Sequence, residues 1–228
     1  MLDSLFSQFD RVLALDTETT GFSPKNDEII ELAVLCQREE GDCSEYDEFI
    51  RLSPGRRLPE KIRELTGITE EMLASGVEKR QAAEALAAML REGRPLVVAY
   101  NAQFDLGFLY YFLRRFALED ALRNARFLDA MTVYKDRRPY PHKLCDAVTA
   151  YALQGENTHR AIDDTRATLE LLLAMGEEKD DLDRYVNLFG YPAKYGVSGQ
   201  RVASIRYFPQ SGHPGKPLYE KAAAPVLK

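Results

Sequence analysis

The sequence predicts an α/β fold, a mixed sheet flanked by helices, followed by a C-terminal extension. Three observations predict it. Short apolar runs of strand length crowd the first fifty residues, whereas later ones are separated by longer segments of helical spacing. The runs are punctuated by Gly, Pro, Asn and Asp, the residues that turn a chain. With 45% apolar and 29% charged residues in 228, there is enough to bury for one large domain, and wholesale disorder is excluded.

Taken in order, residues 11–16 (RVLALD) read as a short buried strand ending in a carboxylate. Residues 29–36 (IIELAVLC) read as a second strand, after a turn carrying Gly21, Pro24 and Asn26. Residues 46–52 (YDEFIRL) roughly alternate and complete an antiparallel meander. Pro59 opens a short helix that stops near Gly67, and Thr69 caps the next one. Residues 78–92 place Ala82, Ala85, Leu86, Met89 and Leu90 at helical spacing. Residues 96–100 (LVVAY) are a buried strand between helices, and the aromatic stretch 104–117 is a buried helix. A last strand at 127–129 precedes helices over 143–153 and 162–175. A meander followed by alternating strands and helices defines a mixed sheet covered on its faces, in a domain spanning 1–178. Residues 179–228 hold a short helix, 181–188, then a Gly-, Pro- and Tyr-rich stretch expected to wrap the body and fray over 222–228.

No run approaches eighteen apolar residues, so no membrane span is expected. The first sixteen residues interrupt their apolar runs with Asp3, Gln8, Asp10 and Arg11, unlike a secretory signal. Cys36, Cys43 and Cys145 form no CxxC pair and read as the reduced thiols of a cytoplasmic protein. The net charge of −6 is uneven: from Tyr185 onward six Lys and Arg stand against Glu220 alone, leaving a strongly acidic body. That balance excludes a nucleic-acid coat protein. An acidic body with a basic, Tyr-rich tail suits cation-assisted chemistry on a polyanion.

Four acids stand out by position. Asp16 and Glu18, in LALDTETTGF, lie two apart on an extended chain and so face the same way. Asp105, in VVAYNAQFDLGF, falls at the entry to a buried helix. Asp164, in THRAIDDTRATLELL, opens the last long helix, with His159 five residues earlier. Singly, each acid is an ordinary helix cap or strand-end charge. Gathered at the edge of one core they would repel one another, and divalent cations relieve that repulsion.

In order and spacing, DTETTGF, NAQFD and HRAIDDT resemble the three exonuclease motifs of the DEDDh (DnaQ-like) 3′→5′ exonucleases. That family includes the proofreading epsilon subunit of DNA polymerase III and the exonuclease domain of PolC-type polymerases. EIIELAVL, ELTGITEEML and KLCDAVTAYAL look like the stretches that accompany those motifs, so the likeness covers about residues 10–178. It implies a ribonuclease H-like fold and release of mononucleotides from DNA 3′ ends, single-stranded or frayed, in proofreading, repair or DNA processing. By the resemblance, Asp16, Glu18, Asp105 and Asp164 match the four metal-binding acids, and His159 matches the catalytic histidine. They imply a site for two ions, Mg²⁺ or Mn²⁺, that grip the scissile phosphate while His159 takes the proton of the attacking water. Asp163 is off the motif's spacing, about 100° round the helix from Asp164, and reads as a cap or surface charge.

Substrate contacts are expected from Thr17, Thr19 and Asn101, with Phe104 stacking on a terminal base. Thr66 stands where the epsilon subunits tend to have His. The basic run YKDRRPYPHK, with Lys135, Arg137, Arg138 and Lys143, is either a track for phosphates or a solvated loop. The tail's Tyr191, Tyr195, Tyr207 and Phe208, beside Arg201 and Arg206, are a clasp over the body or a stacking platform. A proofreading role calls for a DNA polymerase partner in trans. An exoribonuclease of the same superfamily and a non-catalytic nucleic-acid-binding module remain the alternatives.

Overall fold

The structure is a computed structural model that describes residues 2–155, 158–212 and 215–223. From residue 224 on, the end expected to fray lies outside the described residues. In chain order the elements are α1 (Asp3–Phe6), β1 (Arg11–Thr19), β2 (Ile29–Arg38), β3 (Cys43–Phe49), α2 (Glu60–Thr66), α3 (Glu70–Ser75), α4 (Lys79–Arg91), β4 (Pro95–Ala99) and α5 (Ala102–Arg114). They continue with β5 (Arg126–Asp129), α6 (Ala130–Arg137), α7 (Leu144–Ala150), α8 (Ala161–Glu178), β6 (Leu188–Tyr191), β7 (Arg206–Pro209) and α9 (Leu218–Ala223).

Five strands form one mixed sheet in the order β3-β2-β1-β4-β5, with β1 at its centre. β1 and β2, like β2 and β3, pair antiparallel, whereas β4 and β5 run parallel to β1. The C-terminal ends of β1, β4 and β5 therefore share one edge. Alternation along β1 sends side chains to two cores. Leu13 and Leu15 pack with Leu86, Leu90, Leu109 and Phe112 of α4 and α5. Val12 packs with Leu171, Leu172 and Met175 of α8. The sheet is thus sandwiched, and the mixed α/β class expected of the sequence is the one found.

Local signals explain most boundaries. Thr69 accepts a hydrogen bond from the Met72 N–H and caps α3, while Gly67, at φ 69°, takes the left-handed turn that ends α2. Four expectations need correction. β1 runs on to Thr19, so Asp16 lies within the strand and not at its end, because pairing to β2 continues through Glu18 opposite Glu31. β3 begins three residues early, since its register follows the short hairpin and Gln37 opposite Cys43, not its own alternation. The run at 134–143 is helical to Arg137. Residues 181–188 divide into a single 3₁₀ turn, Leu182–Tyr185, and the start of β6.

The tail is partly core. Phe189 and Ile205 are buried in the same cluster as Leu13 and Phe127, and Tyr207 packs against it. Of the tail aromatics singled out in the sequence, Tyr207 and Phe208 pack on the body as in a clasp, whereas Tyr195 stays exposed. Among the described residues no helix is long and apolar enough to cross a membrane.

Candidate active site

The site forms where the central strand meets two helix N-termini. β1 presents Asp16 and Glu18, both partly exposed, between the buried Thr17 and Thr19. Asp105 sits in the first turn of α5 and Asp164 in the first turn of α8, where the helix dipole favours negative charge. Pairing shifts register between Glu18 and Thr19, a strand irregularity of the kind that re-aims side chains beside sites. Glu18, His159 and Asp164 offer ligand atoms that all lie within 4.8 Å of one another. Asp16 and Asp105 join them electrostatically.

That crowding shows in the acidities. Burial, then the charges of Asp105, Glu18, Asp164 and Glu31, hold the Asp16 carboxyl well above the usual carboxylate range. Burial, then Asp164, Glu31 and Asp105, push Glu18 up to about 8, against a small opposing pull from Arg160. Burial raises Asp105 to about 7 although the Thr17 hydroxyl, donating to its Oδ1 at 2.8 Å, favours its charged form. Asp16 and Glu18 have no ion-pair partner within 4 Å among the described residues. Hard oxygen donors crowded together without basic partners suit a divalent cation, so the residues present fit a divalent-ion site.

His159 is exposed and adopts φ 59°, a left-handed backbone uncommon for a residue with a side chain. Anchors on both sides hold it there. The Thr158 hydroxyl donates to Asp163 Oδ2 at 2.6 Å. The Arg160 guanidinium grips the fully buried Glu31 with contacts of 2.7 to 3.2 Å, and Glu31 Oε2 also accepts the Ala161 N–H at 3.0 Å. Glu31 thereby caps α8 and aims the segment bearing His159 and Asp164. Asp163, read from the sequence as a cap or surface charge, is a part-exposed carboxylate that also lies 3.5 Å from Arg166.

The expected substrate contacts divide. Thr17 and Thr19 spend their hydroxyls inside the protein, on Asp105 and on the Gly21 carbonyl at 2.7 Å. Their hydroxyl protons are thus committed within the protein, where they position the site. Asn101 is exposed beside the site at φ 66°, its N–H donating to Asp129 Oδ1 at 2.9 Å. Phe104 is half-buried, 5.0 Å from the Phe108 ring and 6.5 Å, edge-on, from Phe22. Phe22, 83% exposed, is an aromatic that sequence reasoning missed, and its place in the DTETTGF motif was the available signal. Thr66 is buried and turned inward, donating to the Ile62 carbonyl at 2.9 Å. Of the basic run, Arg137 is bound to Glu178 and Asp181 and Arg138 to Glu178, so neither is a free phosphate contact.

With this geometry, the exonuclease family RNase_T matches residues 13–172, and the chain belongs to that family. It is 32% identical over 183 residues to the PolC-type DNA polymerase III of Clostridium perfringens, covering 76% of this chain and 12% of that protein. It is 34% identical over 177 residues to the 3′-5′ exonuclease DinG of Bacillus subtilis, covering 74% of this chain and 18% of that one. The chain thus spans only a small part of the relatives' length. In fold it resembles E. coli exonuclease I in complex with a dT13 oligonucleotide, with a TM-score of 0.64 at 18% identity over 74% of this chain and 41% of that one.

Proposed function

We propose that this chain is a 3′→5′ exonuclease that releases mononucleotides from single-stranded or frayed DNA 3′ ends, with residues 1–178 as the catalytic unit and 179–228 as its extension. The observation that carries the reading is the convergence of Asp16, Glu18, Asp105 and Asp164 with His159 on one end of the central strand. The solved neighbour with a bound dT13 strand favours a single-stranded substrate, and the PolC relatives favour a polymerase partner. Asp16, Glu18, Asp105 and Asp164 would hold two divalent cations, Mg²⁺ or Mn²⁺, which when bound supply an acidified water and neutralise phosphate charge.

The chain's own residues do the rest. His159, at the exposed rim beside Glu18 and Asp164, takes one proton from the water that attacks phosphorus and passes it to solvent. The bond from phosphorus to the neighbouring 3′ oxygen breaks, and that oxygen leaves with a proton as the new 3′ hydroxyl. Thr17 holds Asp105, and the Glu31–Arg160 pair holds the His159 segment.

The test is release of mononucleotide from 3′-labelled single strands, with and without Mg²⁺, by wild type, Glu18→Ala and His159→Ala. Loss of a general base costs about 10²–10⁴-fold, so His159→Ala should fall by that much and Glu18→Ala at least as far, with circular dichroism unchanged. Activity within a few-fold of wild type in either variant overturns the assigned roles. Matched DNA and RNA strands, digested side by side, read the substrate preference directly.

A further inference from the structure

The extension comes back to the catalytic edge of the sheet. β6 lies beside β5, where the Asn187 N–H donates to the Phe127 carbonyl at 2.7 Å and Asn187 Oδ1 accepts the Phe127 N–H at 2.9 Å. Past Tyr191 the chain folds over the C-terminal ends of β4 and β5 and is tied down at Gln103. The Gln103 Nε2 donates to the carbonyls of Ser198 and Gln200, each at 2.8 Å, and its Oε1 accepts from the Tyr207 hydroxyl at 2.8 Å. Gln103 lies two residues before Asp105, so the strap is fastened to the helix turn that carries a site acid.

Under the strap is a cavity of about 240 Å³ whose walls include Asn101, Gln103, Lys135, Tyr191 and Tyr195. A larger cavity, about 490 Å³ between α5 and residues 200–204, holds none of the site residues. The smaller one is below the roughly 300–1,000 Å³ that encloses a whole small molecule, which leaves room for one planar group with its connecting chain outside. Lys135 is half-buried in its wall and makes no ion pair within 4 Å among the described residues. Asp129, in the same wall, acts on it from beyond ion-pair distance, and its oxygens already accept from the Asn101 and Ala102 N–H groups and the Thr132 hydroxyl. Tyr195 leaves 77% of its surface open, with Lys194 Nζ 5.1 Å from its ring. A free aromatic face beside an uncommitted cation is what a stacked base and its phosphate require.

We infer that the cavity is a nucleotide subsite for the bound single strand, built by the extension, with the base against Tyr195 and Tyr191 and the phosphate against Lys135. This rests on the exonuclease reading above. β5 stands two places from β1, so the wall at its end lies about 10 Å across the sheet from Asp16 and Glu18, and the subsite takes a different part of the strand from the scissile phosphate.

Fluorescein-labelled dT12 binding, followed by anisotropy in EDTA over a salt series, tests it without cleavage. Tyr195→Ala is expected to weaken binding about tenfold with no change in salt dependence. Lys135→Gln should weaken it and lower the slope of log affinity against log salt by about 0.7, and Lys135→Arg should restore that slope. Affinity within twofold of wild type in both Tyr195→Ala and Lys135→Gln, an unaltered slope in Lys135→Gln, or no strand binding by wild type overturns the subsite. Mononucleotide release by wild type in Mn²⁺ is scored apart. Release with unaffected variants overturns the subsite and leaves the exonuclease reading intact, whereas weakened variants without release do the reverse.

Discussion

Replacing Glu18 with Gln should stabilise the metal-free protein, by an amount that grows as pH rises from about 4.5 to about 8. The folded Glu18 carboxyl keeps its proton up to about pH 8, against an ordinary value of 4.5, chiefly through burial and then the charges around it. Between those values the folded chain binds a proton that the unfolded chain has released, so stability falls as pH rises across that window. At pH 7 the gap is 2.5 pH units from 4.5, and at about 1.4 kcal/mol per unit the penalty is about 3.5 kcal/mol. The Asp16 carboxyl, held well above the usual carboxylate range by the same burial and crowding, shares the repulsion, so the expected gain for Glu18→Gln at pH 8 is about 1–3 kcal/mol. For a chain of this size that raises Tm by about 3–10 °C. The assay is thermal unfolding in EDTA at pH 4.5 and pH 8, repeated with excess Mn²⁺. At pH 4.5 the two proteins should melt within about 2 °C of each other, since the wild-type carboxyl is then neutral. With Mn²⁺ at pH 8 the order should reverse, because the variant has lost a ligand. A variant no more stable than wild type in EDTA at pH 8, or equally stabilised at both pH values, would refute the repulsion argument.

Thr17→Val keeps shape but removes the 2.8 Å bond to Asp105, whose carboxyl then rises further above about 7. Its stability should drop by about 1 kcal/mol, and the acidic limb of the kcat/KM profile for strand hydrolysis should move to higher pH. Arg137→Ala removes one of two cations from each of Asp181 and Glu178, which keep Lys179 and Arg138, and chemical denaturation should show a loss of about 1–2 kcal/mol. Strand affinity by anisotropy should not change, because Arg137 is committed to the protein. Glu31→Gln removes the anion that Arg160 grips and that caps α8, so exonuclease activity should fall about tenfold or more through KM-independent loss of kcat, read by steady-state kinetics on dT12.

The parts of the molecule legible in the sequence are those fixed by local pattern. RVLALD and LVVAY are strands because continuous apolar runs of that length need cover on both faces, and α4, α5 and α8 follow from helical spacing. The acids and His159 were legible because residue type and spacing both had to match, and the structure brings Glu18, His159 and Asp164 together from the far ends of the chain. What stayed hidden was set by partners distant in sequence. Arg137 looked like a basic loop residue until α8 placed Glu178 and Asp181 beside it. Thr17 looked like a substrate contact until α5 put Asp105 within 2.8 Å. β6 and β7 carry no alternation that marks them, since the edge of β5 and the side chain of Asn187 define them from outside.

The register of β1 on β2 decides why this cluster needs cations. Pairing sets Glu31 directly across from Glu18, so a fifth acid enters the group, wholly buried. The protein answers that one charge itself: Arg160 meets Glu31 with a bidentate grip and the first turn of α8 adds a backbone donor. The same grip fixes the backbone on one side of His159. With the Arg160 guanidinium committed there, Asp16 and Glu18 have no ion pair among the described residues; the Asp16 carboxyl is held well above the usual range and Glu18 is pushed up to about 8. A satisfied acid thus builds the scaffold, and the unsatisfied ones keep their donor oxygens available. Removing an unsatisfied charge at its source, by Asp16→Asn, would relieve the repulsion permanently and should abolish Mn²⁺-dependent stabilisation at pH 8, a loss that thermal unfolding reads without any reference to catalysis.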